Sequence, residues 1–398
     1  MSTTTPDEAF APLGRDALDD QEYADLVRTV TGQPDAEPAD VRVEPVNYLI
    51  GTPSTEALLR VFGTARLADG TTTRWSCFVK KLQSPRHWSQ IELVPEHIRE
   101  KFIQNLPWRL EIAVHEGDLK ALLPEGMRLP TLYRTDVHDD ERAALWMENV
   151  DQAPGPWPLE RFERAAYLLG RLSARRQPHL VKPLLPRGDV ETPGVGLRYY
   201  TNGRVMMGAL PALADADTWR HPLLAAAVCS TGDHGLKDDL LELAERLPVV
   251  LDALDALPQT YQHGDASPQN LLVTKDNEDE FVVIDWGFDC PQAVGFDLGQ
   301  LLVGLAHAGE LAPSTLPLIH RAIVAAFMQG LAADGMSVSE EEVLYGYLGS
   351  LMCRATFTAL PLEILNKTGD AATLAIFEQR VELTRALVDL VRPISQKN

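Results

Sequence analysis

Cysteine is scarce. The chain has four in 398 residues, Cys77, Cys229, Cys290 and Cys353, all far apart. That count is low for a disulfide scaffold, and no C-x-x-C pair points to zinc or redox work. A reducing, cytoplasmic setting is the expectation. Cationic charge is also in deficit, with 36 Lys and Arg against 57 Asp and Glu and a net charge of −21. This argues against nucleic acid, whose binding depends on Lys and Arg neutralising phosphates, and against an anionic membrane surface. No apolar stretch approaches bilayer-spanning length. The opening MSTTTPDEAF lacks the basic and apolar regions of a signal peptide. Internal repeats, low-complexity tracts and a complete G-x-G-x-x-G loop are missing too.

What is present is enough apolar material, 45% of residues, for one large core or two smaller ones. The acidic balance permits a cationic substrate, although a solvated acidic surface is the simpler explanation.

The most informative stretch runs from Tyr261 to Gly299, YQHGDASPQNLLVTKDNEDEFVVIDWGFDCPQAVGFDLG. Two short apolar runs, Leu271–Val273 and Phe281–Ile284, flank a polar loop, Lys275–Glu280, and read as a β-hairpin. Asp265 and Asn270 lie just before its first strand and Asp285 just after its second, so the hairpin brings three oxygen-bearing side chains to one end. Nucleotide phosphoryl transfer needs such a cluster. One carboxylate orients the attacking hydroxyl, and hard oxygen donors hold Mg²⁺ against the phosphates. The kinase catalytic loop supplies these as H-x-D-x-x-x-x-N followed by an Asp on the next hairpin. Here His263-Gly264-Asp265, Asn270 and Asp285 stand in that order. Singly, each is an ordinary turn residue; jointly, with strands in the right places, they point to kinase chemistry.

HGDASPQN followed by IDWG resembles the aminoglycoside phosphotransferase and choline kinase superfamily, as does Asp297 in GFDLG, a dozen residues past Asp285. The specific match spans about forty residues, with weaker resemblance over Asn47 to Asp297. It implies an α+β, bilobal, protein-kinase-like fold: an acidic N-terminal arm over residues 1–40, a β-rich nucleotide-binding lobe over 41–148, and a mainly helical catalytic and substrate lobe over 149–398. It implies Mg²⁺ and ATP or GTP held between the lobes. Asp265 would orient the nucleophile, Asn270 and Asp285 would bind metal, and His263 would hold the catalytic loop, which Asp297 supports from behind.

The arm contains one amphipathic pattern, Ala17–Val30, with Leu18, Tyr23, Leu26 and Val30 apolar. It reads as a helix packed on the first lobe or as a disordered tail. Pro34 and Pro38 end the pattern. Strands are expected over Val43–Ile50, Ala57–Leu67 and Trp75–Leu82. The turn Gly51, Thr52, Pro53, Ser54 between the first two is an ordinary β-turn by itself; the resemblance makes it a phosphate-covering loop. Lys80 and Lys81 must face opposite sides of their strand. The family pattern matches Lys80 to the α- and β-phosphates and leaves Lys81 a solvated strand-end charge. Pro85–Gln104 reads as irregular. Trp108–Leu123 reads as one helix, on which Glu111 is the resemblance's partner for Lys80, with Glu116 as fallback. Glu111 is equally a favourable charge near a helix N-terminus. Strands follow at Pro130–Tyr133 and Ala143–Met147. In the family, backbone groups around Met147, Glu148 and Val150 bond the adenine edge.

Asp151–Pro158 is rich in Gly and Pro and marks a boundary. Helical patterns follow at Leu159–Arg176, Leu210–Thr231, Lys237–Leu257, Leu298–Ala308, Leu316–Asp334, Glu340–Leu360 and Ala371–Val391, with Leu184–Gly203 irregular. The family's default acceptor is a hydroxyl on a small molecule, such as an aminoglycoside-like antibiotic, alcohol, sugar or other natural product. A Ser or Thr of a precursor peptide is the alternative enzymatic reading, and a nucleotide-binding pseudokinase the non-enzymatic one. A homodimer is compatible with the sequence.

Overall fold

The computed structural model describes residues 11–48, 50–186, 191–287, 289–366 and 370–396. MSTTTPDEAF lies outside the described residues, as do Leu49 of the expected first strand, residues 187–190 of the stretch read as irregular, and Phe288. The chain divides into two units, one formed by residues up to 120 together with 128–152, the other by 121–127 and residues from 153 onward. The architecture is α+β, with strands concentrated in the first unit and helices in the second.

The first unit is built on a five-stranded antiparallel sheet. Its strands are β1 (Glu37–Pro45), β2 (Thr55–Arg66), β3 (Thr72–Gln83), β4 (Leu132–His138) and β5 (Arg142–Glu148), in the order β1-β2-β3-β5-β4. Successive side chains alternate between its faces. Trp75, Cys77 and Val79 of β3 join Ala144 and Trp146 of β5 in one core. The helix α1 (Asp20–Thr31) closes that core with Tyr23, Leu26 and Val27. Asp19 caps α1 by accepting from the Glu22 backbone, and the Glu22 side chain returns the bond in a capping box. On the other face Leu82, Ala143, Leu145 and Met147 pack with Ile112. Full burial of each such large apolar side chain is worth roughly 1.5–3 kcal/mol.

Several expected boundaries move. β1 ends at Pro45 and begins at Glu37, so Pro38 sits in a strand instead of ending an arm. β1 is an edge strand whose register with β2 shifts between Pro38 and Asp40, and edges and bulges are where a strand tolerates the missing N–H of proline. Trp108–Leu123 is not one helix. It is α3 (Leu110–Glu116) and a single turn, Leu119–Leu122, parted at Gly117, whose backbone is extended. The expected irregular Pro85–Gln104 contains α2 (Glu96–Asn105), which buries none of its residues and therefore lacks a strong apolar stripe.

Lys81 corrects a further expectation. It is not a solvated strand-end charge but is 5% exposed. Its Nζ lies 3.1 Å from Asp16 Oδ2, 3.5 Å from Glu56 Oε1 and 3.0 Å from the Leu13 carbonyl. The segment ahead of α1 covers this strand end, which alternation along β3 alone could not reveal.

The second unit contains α4 (Leu159–Arg175), α5 (Val195–Tyr200), α6 (Pro222–Thr231), α7 (Leu236–Glu245), α8 (Leu247–Asp255), α9 (Asp297–His307), α10 (Leu316–Ala333), α11 (Glu340–Leu351) and α12 (Ala371–Ser395). π-helical turns extend α5 over Thr201–Ala209 and α11 over Met352–Thr356, so much of Leu184–Gly203 is helical, not irregular. Against the expectation that no stretch approaches spanning length, Pro313–Ala333 is long and apolar enough by length and composition. Ile319, Ile323, Phe327 and Leu331 are buried, while Leu318 is half exposed. A Cβ on Gly330 would lie 2.0 Å from the Tyr167 carbonyl, and one on Gly170 would lie 2.3 Å from the Phe327 carbonyl. Glycine at both points lets α4 and α10 approach backbone to backbone.

The Lys81 cluster yields a stability prediction. Lys81→Ala takes the lysine from the buried Asp16 carboxylate and leaves it His138 Nε2, at 2.6 Å, so the loss should be at most the roughly 3–5 kcal/mol of a fully broken buried pair. The urea midpoint should fall accordingly; a midpoint unchanged from wild type would show that Lys81 contributes nothing buried.

Candidate active site

In the second unit β6 (Gln259–Tyr261) pairs with β9 (Pro291–Ala293), while β7 (Leu271–Val273) and β8 (Phe281–Val283) form the expected hairpin. Its register, Leu271 opposite Val283 and Val273 opposite Phe281, leaves Asn270 and Ile284 at the same end. The Ile284 N–H donates to the Asn270 carbonyl at 3.0 Å, extending the ladder by one bond. Pro268 opens the short 3₁₀ turn that carries Asn270.

His263 ties the two loops together. Its Nε2 donates to the Ile284 carbonyl at 2.9 Å, and its Nδ1 accepts from the Asp265 N–H at 3.1 Å. The Gly287 N–H donates to the His263 carbonyl at 3.2 Å. Asp285 is therefore bracketed by bonds from Ile284 and Gly287 to the Asp265 loop. Burial pushes the imidazole pKa down, with Asp297 and Asp265 opposing the shift, which fits one protonated and one accepting nitrogen. Asp285 itself is exposed at φ 59°, in the left-handed region that few non-glycine residues occupy. Such backbone strain persists only where the surroundings enforce it.

Asp297 opens α9 and is buried. Its two oxygens accept the consecutive backbone N–H groups of His263, at 2.9 Å, and Gly264, at 2.8 Å. Burial raises its pKa, and His263 together with these two N–H groups opposes the rise. Gly264 takes φ 92°, which suits glycine alone at low cost.

Asp265 is held on both oxygens. Gln300 Nε2 donates to Oδ1 at 2.7 Å and an Arg354 nitrogen donates to the same oxygen at 3.0 Å. Asn270 Nδ2 donates to Oδ2 at 3.1 Å and to the Asp265 carbonyl at 2.9 Å. The amide nitrogen of Asn270 is thus committed to Asp265, which turns its amide oxygen away from that carboxylate. An amide oxygen and the Asp285 carboxylate are the sparse, hard donor set that suits Mg²⁺, whose remaining positions go to phosphate and water oxygens. Among the described residues no three His, Cys, Asp or Glu side chains are grouped as a metal cluster.

The first unit carries the other predicted residues. Lys80 and Glu111 form an ion pair on the sheet face opposite Lys81. Glu116 is exposed, with Gly117 directly after it. Met147 lies in the core beside Leu82 and Ile112. The Glu148 side chain is occupied by Arg128, at 2.6 and 2.8 Å, and its backbone N–H by the Thr131 carbonyl at 2.8 Å. That N–H is spent within the sheet, which leaves Asn149 and Val150 as the nearer backbone donors in the expected adenine-binding segment. Glu148 and Asn149 also border a cavity of about 480 Å³ with Arg60, Phe62, Trp75 and Tyr133; neither Lys80 nor Glu111 lines it. Gly51 and Thr52 are exposed. The Ser54 N–H faces Thr52 Oγ1 at 3.4 Å and its carbonyl accepts from Gln83 at 3.0 Å. The turn is tied to the end of β3, and the Ser54 N–H is used locally.

Gln300 and Arg354 were missed by sequence reasoning. Each interrupts an apolar run, LGQLLVG and LMCRATF, and a charged or amide side chain inside such a run needs a buried partner. That signal was available, though it does not name the partner.

The model of the phosphotransferase enzyme family matches residues 36–330. The chain belongs to that family. No curated protein matches it. Among solved structures, a spectinomycin phosphotransferase in complex with ADP and spectinomycin is similar at 13% identity, covering 96% of this chain and 99% of that one, with a TM-score of 0.47. An aminoglycoside phosphotransferase from Alicyclobacillus acidocaldarius is 16% identical, with coverages of 84% and 90% and a TM-score of 0.44. A choline kinase from Streptococcus pneumoniae is 11% identical, with coverages of 88% and 95% and a TM-score of 0.39.

In this phosphotransferase Asp297→Ala strips the acceptors from two buried N–H groups. Each unmet buried donor costs about 1–3 kcal/mol, so a total loss of roughly 2–6 kcal/mol is expected in chemical denaturation. A loss below about 1 kcal/mol would mean that the loop does not depend on this carboxylate.

Proposed function

We propose that the protein transfers the γ-phosphate of ATP or GTP to a hydroxyl group on a small molecule, with Mg²⁺ as the metal. The observation that supports this reading best is the stitching of two loops around Asp285: Ile284 to Asn270, His263 to Ile284 and Gly287 to His263. It holds a strained, exposed carboxylate in fixed register with Asp265 and Asn270. In this reading Asp265 orients the acceptor hydroxyl and takes its proton. Asn270 and Asp285 hold Mg²⁺, which when bound offsets charge on the phosphate oxygens. Lys80, braced by Glu111, fixes the α- and β-phosphates, and the turn at Gly51–Ser54 covers them. The setting is cytoplasmic.

The test is a screen of hydroxyl-bearing natural products, antibiotics, sugars and amino alcohols for acceptor-dependent consumption of ATP or GTP, run with and without Mg²⁺. General acid–base groups contribute about 10²–10⁴-fold. Asp265→Asn should therefore raise the barrier by about 3–5 kcal/mol, at about 1.4 kcal/mol per decade, with nucleotide Kd little changed. Asp285→Asn should abolish metal-dependent turnover while leaving the thermal melt intact. Turnover that survives in Asp285→Asn with the same Mg²⁺ dependence would remove Asp285 from the site. Nucleotide binding with no acceptor for any compound, and no transfer to peptide Ser or Thr, would favour a pseudokinase.

Lys80→Ala should weaken nucleotide binding and lower kcat, because Lys80 alone of the adjacent pair shares a face with Glu111. Loss of activity in Lys81→Ala with a full-strength Lys80→Ala enzyme would reverse the assignment.

A further inference from the structure

A carboxylate offers about four acceptor sites, two on each oxygen. On Asp265 Oδ1 both are taken, by Gln300 at 2.7 Å and Arg354 at 3.0 Å. On Oδ2 Asn270 takes one, at 3.1 Å. We propose that Arg354, with Gln300, is a positioning residue that saturates Oδ1 of Asp265 and so presents Oδ2 to the acceptor hydroxyl. The proposal rests on the phosphotransfer role of Asp265 argued above.

The N–H groups of the loop do not need Arg354. Asp297 already holds the N–H groups of His263 and Gly264, and His263 holds that of Asp265. What those bonds leave open is the rotation of the Asp265 side chain, which is 31% exposed. Arg354 closes that freedom. One of its nitrogens donates to Oδ1 and the other to the Gly264 carbonyl, so the planar guanidinium spans side chain and backbone of one loop. It cannot swing aside easily, because it stands 5.4 Å from the Tyr200 ring and 5.6 Å from the Phe296 ring and is only 11% exposed. It also stands on the π-helical turn Met352–Thr356 that continues α11, and such turns are frequent at functional sites. The second π-helical segment, Thr201–Ala209, is bonded to this one through Thr201 Oγ1 and the Cys353 carbonyl at 3.1 Å.

The step this serves is balanced. The acceptor O–H bond breaks and its proton passes to Oδ2, while the acceptor oxygen bonds the γ-phosphorus. The bond from that phosphorus to the bridging oxygen breaks, and its electron pair leaves with the nucleoside diphosphate.

The experiment uses the full chain with Mg²⁺ and ATP or GTP, water serving as acceptor, and reads phosphate release. A misplaced reacting group can cost on the order of 10²-fold. Arg354→Ala should lower kcat by about that factor while leaving KM for nucleotide unchanged, and Arg354→Lys should recover part of the loss. Guanidinium ion added to Arg354→Ala should restore activity in part, and should do nothing for Asp265→Asn. In the Asp265→Asn background, removing Arg354 should cost nothing further, because residues acting through one another are not additive. Should Arg354→Ala fail to fold, Gln300→Leu and Arg354→Lys carry the same comparison. An Arg354→Ala enzyme within about twofold of wild type, or a loss that simply adds to that of Asp265→Asn, overturns the positioning role and leaves the phosphotransfer reading standing. Wild-type turnover that Asp265→Asn matches overturns both.

Discussion

The loop that carries His263, Gly264 and Asp265 depends on one buried carboxylate. Asp297 sits at the first residue of α9, where the helix N-terminus favours negative charge, and its oxygens take two successive N–H groups of the loop. An isolated buried charge is costly, and its cost falls only as its acceptor sites are filled. That requirement works in both directions. The carboxylate needs the loop in one conformation, and the loop meets two of its buried N–H groups through that carboxylate. From His263 the order spreads outward through its ring to Ile284 and to the Asp265 N–H. One anchor therefore sets the positions of Asp265, Asn270 and Asp285.

A buried ion pair closes the far side of Asp285. Arg176 and Asp289 are each about 1% exposed and meet at 2.6 Å, and the Arg176 guanidinium lies 5.6 Å from the Trp286 ring. Trp286 in turn packs 4.6 Å from His263. The strained φ of Asp285 is thus surrounded by groups that cannot relax independently. The first unit follows the same logic on its sheet. Lys80 and Lys81 are neighbours, yet each meets an acid on its own face, Glu111 for one and Asp16 for the other. A slip of one residue would break both pairs, so the two ion pairs pin the register of β3.

The hairpin from Leu271 to Val283 was legible because its apolar runs are short, bounded and paired across a polar loop. The meeting of His263, Asp265 and Asn270 beside Asp285 was legible because the four are close in sequence and their order is informative. Lys80 and Glu111 needed a resemblance, since nothing local in either residue names the other across thirty positions. Other features were hidden for physical reasons. Gly117 ends a helix that apolar periodicity alone would continue, and Pro38 in an edge strand looks like a breaker until its neighbour is known. Long-range closure is the hardest to read. Leu13 and Asp16 reach Lys81 from 65 or more residues away, and Arg354 reaches Asp265 from 89 residues away. In each case the sequence displays only a polar residue in an apolar setting, which states that a partner exists without saying where.

This bears on what the net charge of −21 can mean. Read from composition, such an excess permits a cationic acceptor. Inside the second unit, however, cations are distributed to specific acids. Arg176 serves Asp289, Arg385 serves Asp233 and Asp239, and Arg354 serves Asp265 itself. The carboxylate that would meet the acceptor already faces a guanidinium about 3 Å away. At that distance and at low exposure a fixed cation outweighs the screened field of remote surface acids. In the proposed reading, the charge that an acceptor hydroxyl would feel at Asp265 is set by Arg354, Gln300 and Asn270, not by the global excess of Asp and Glu.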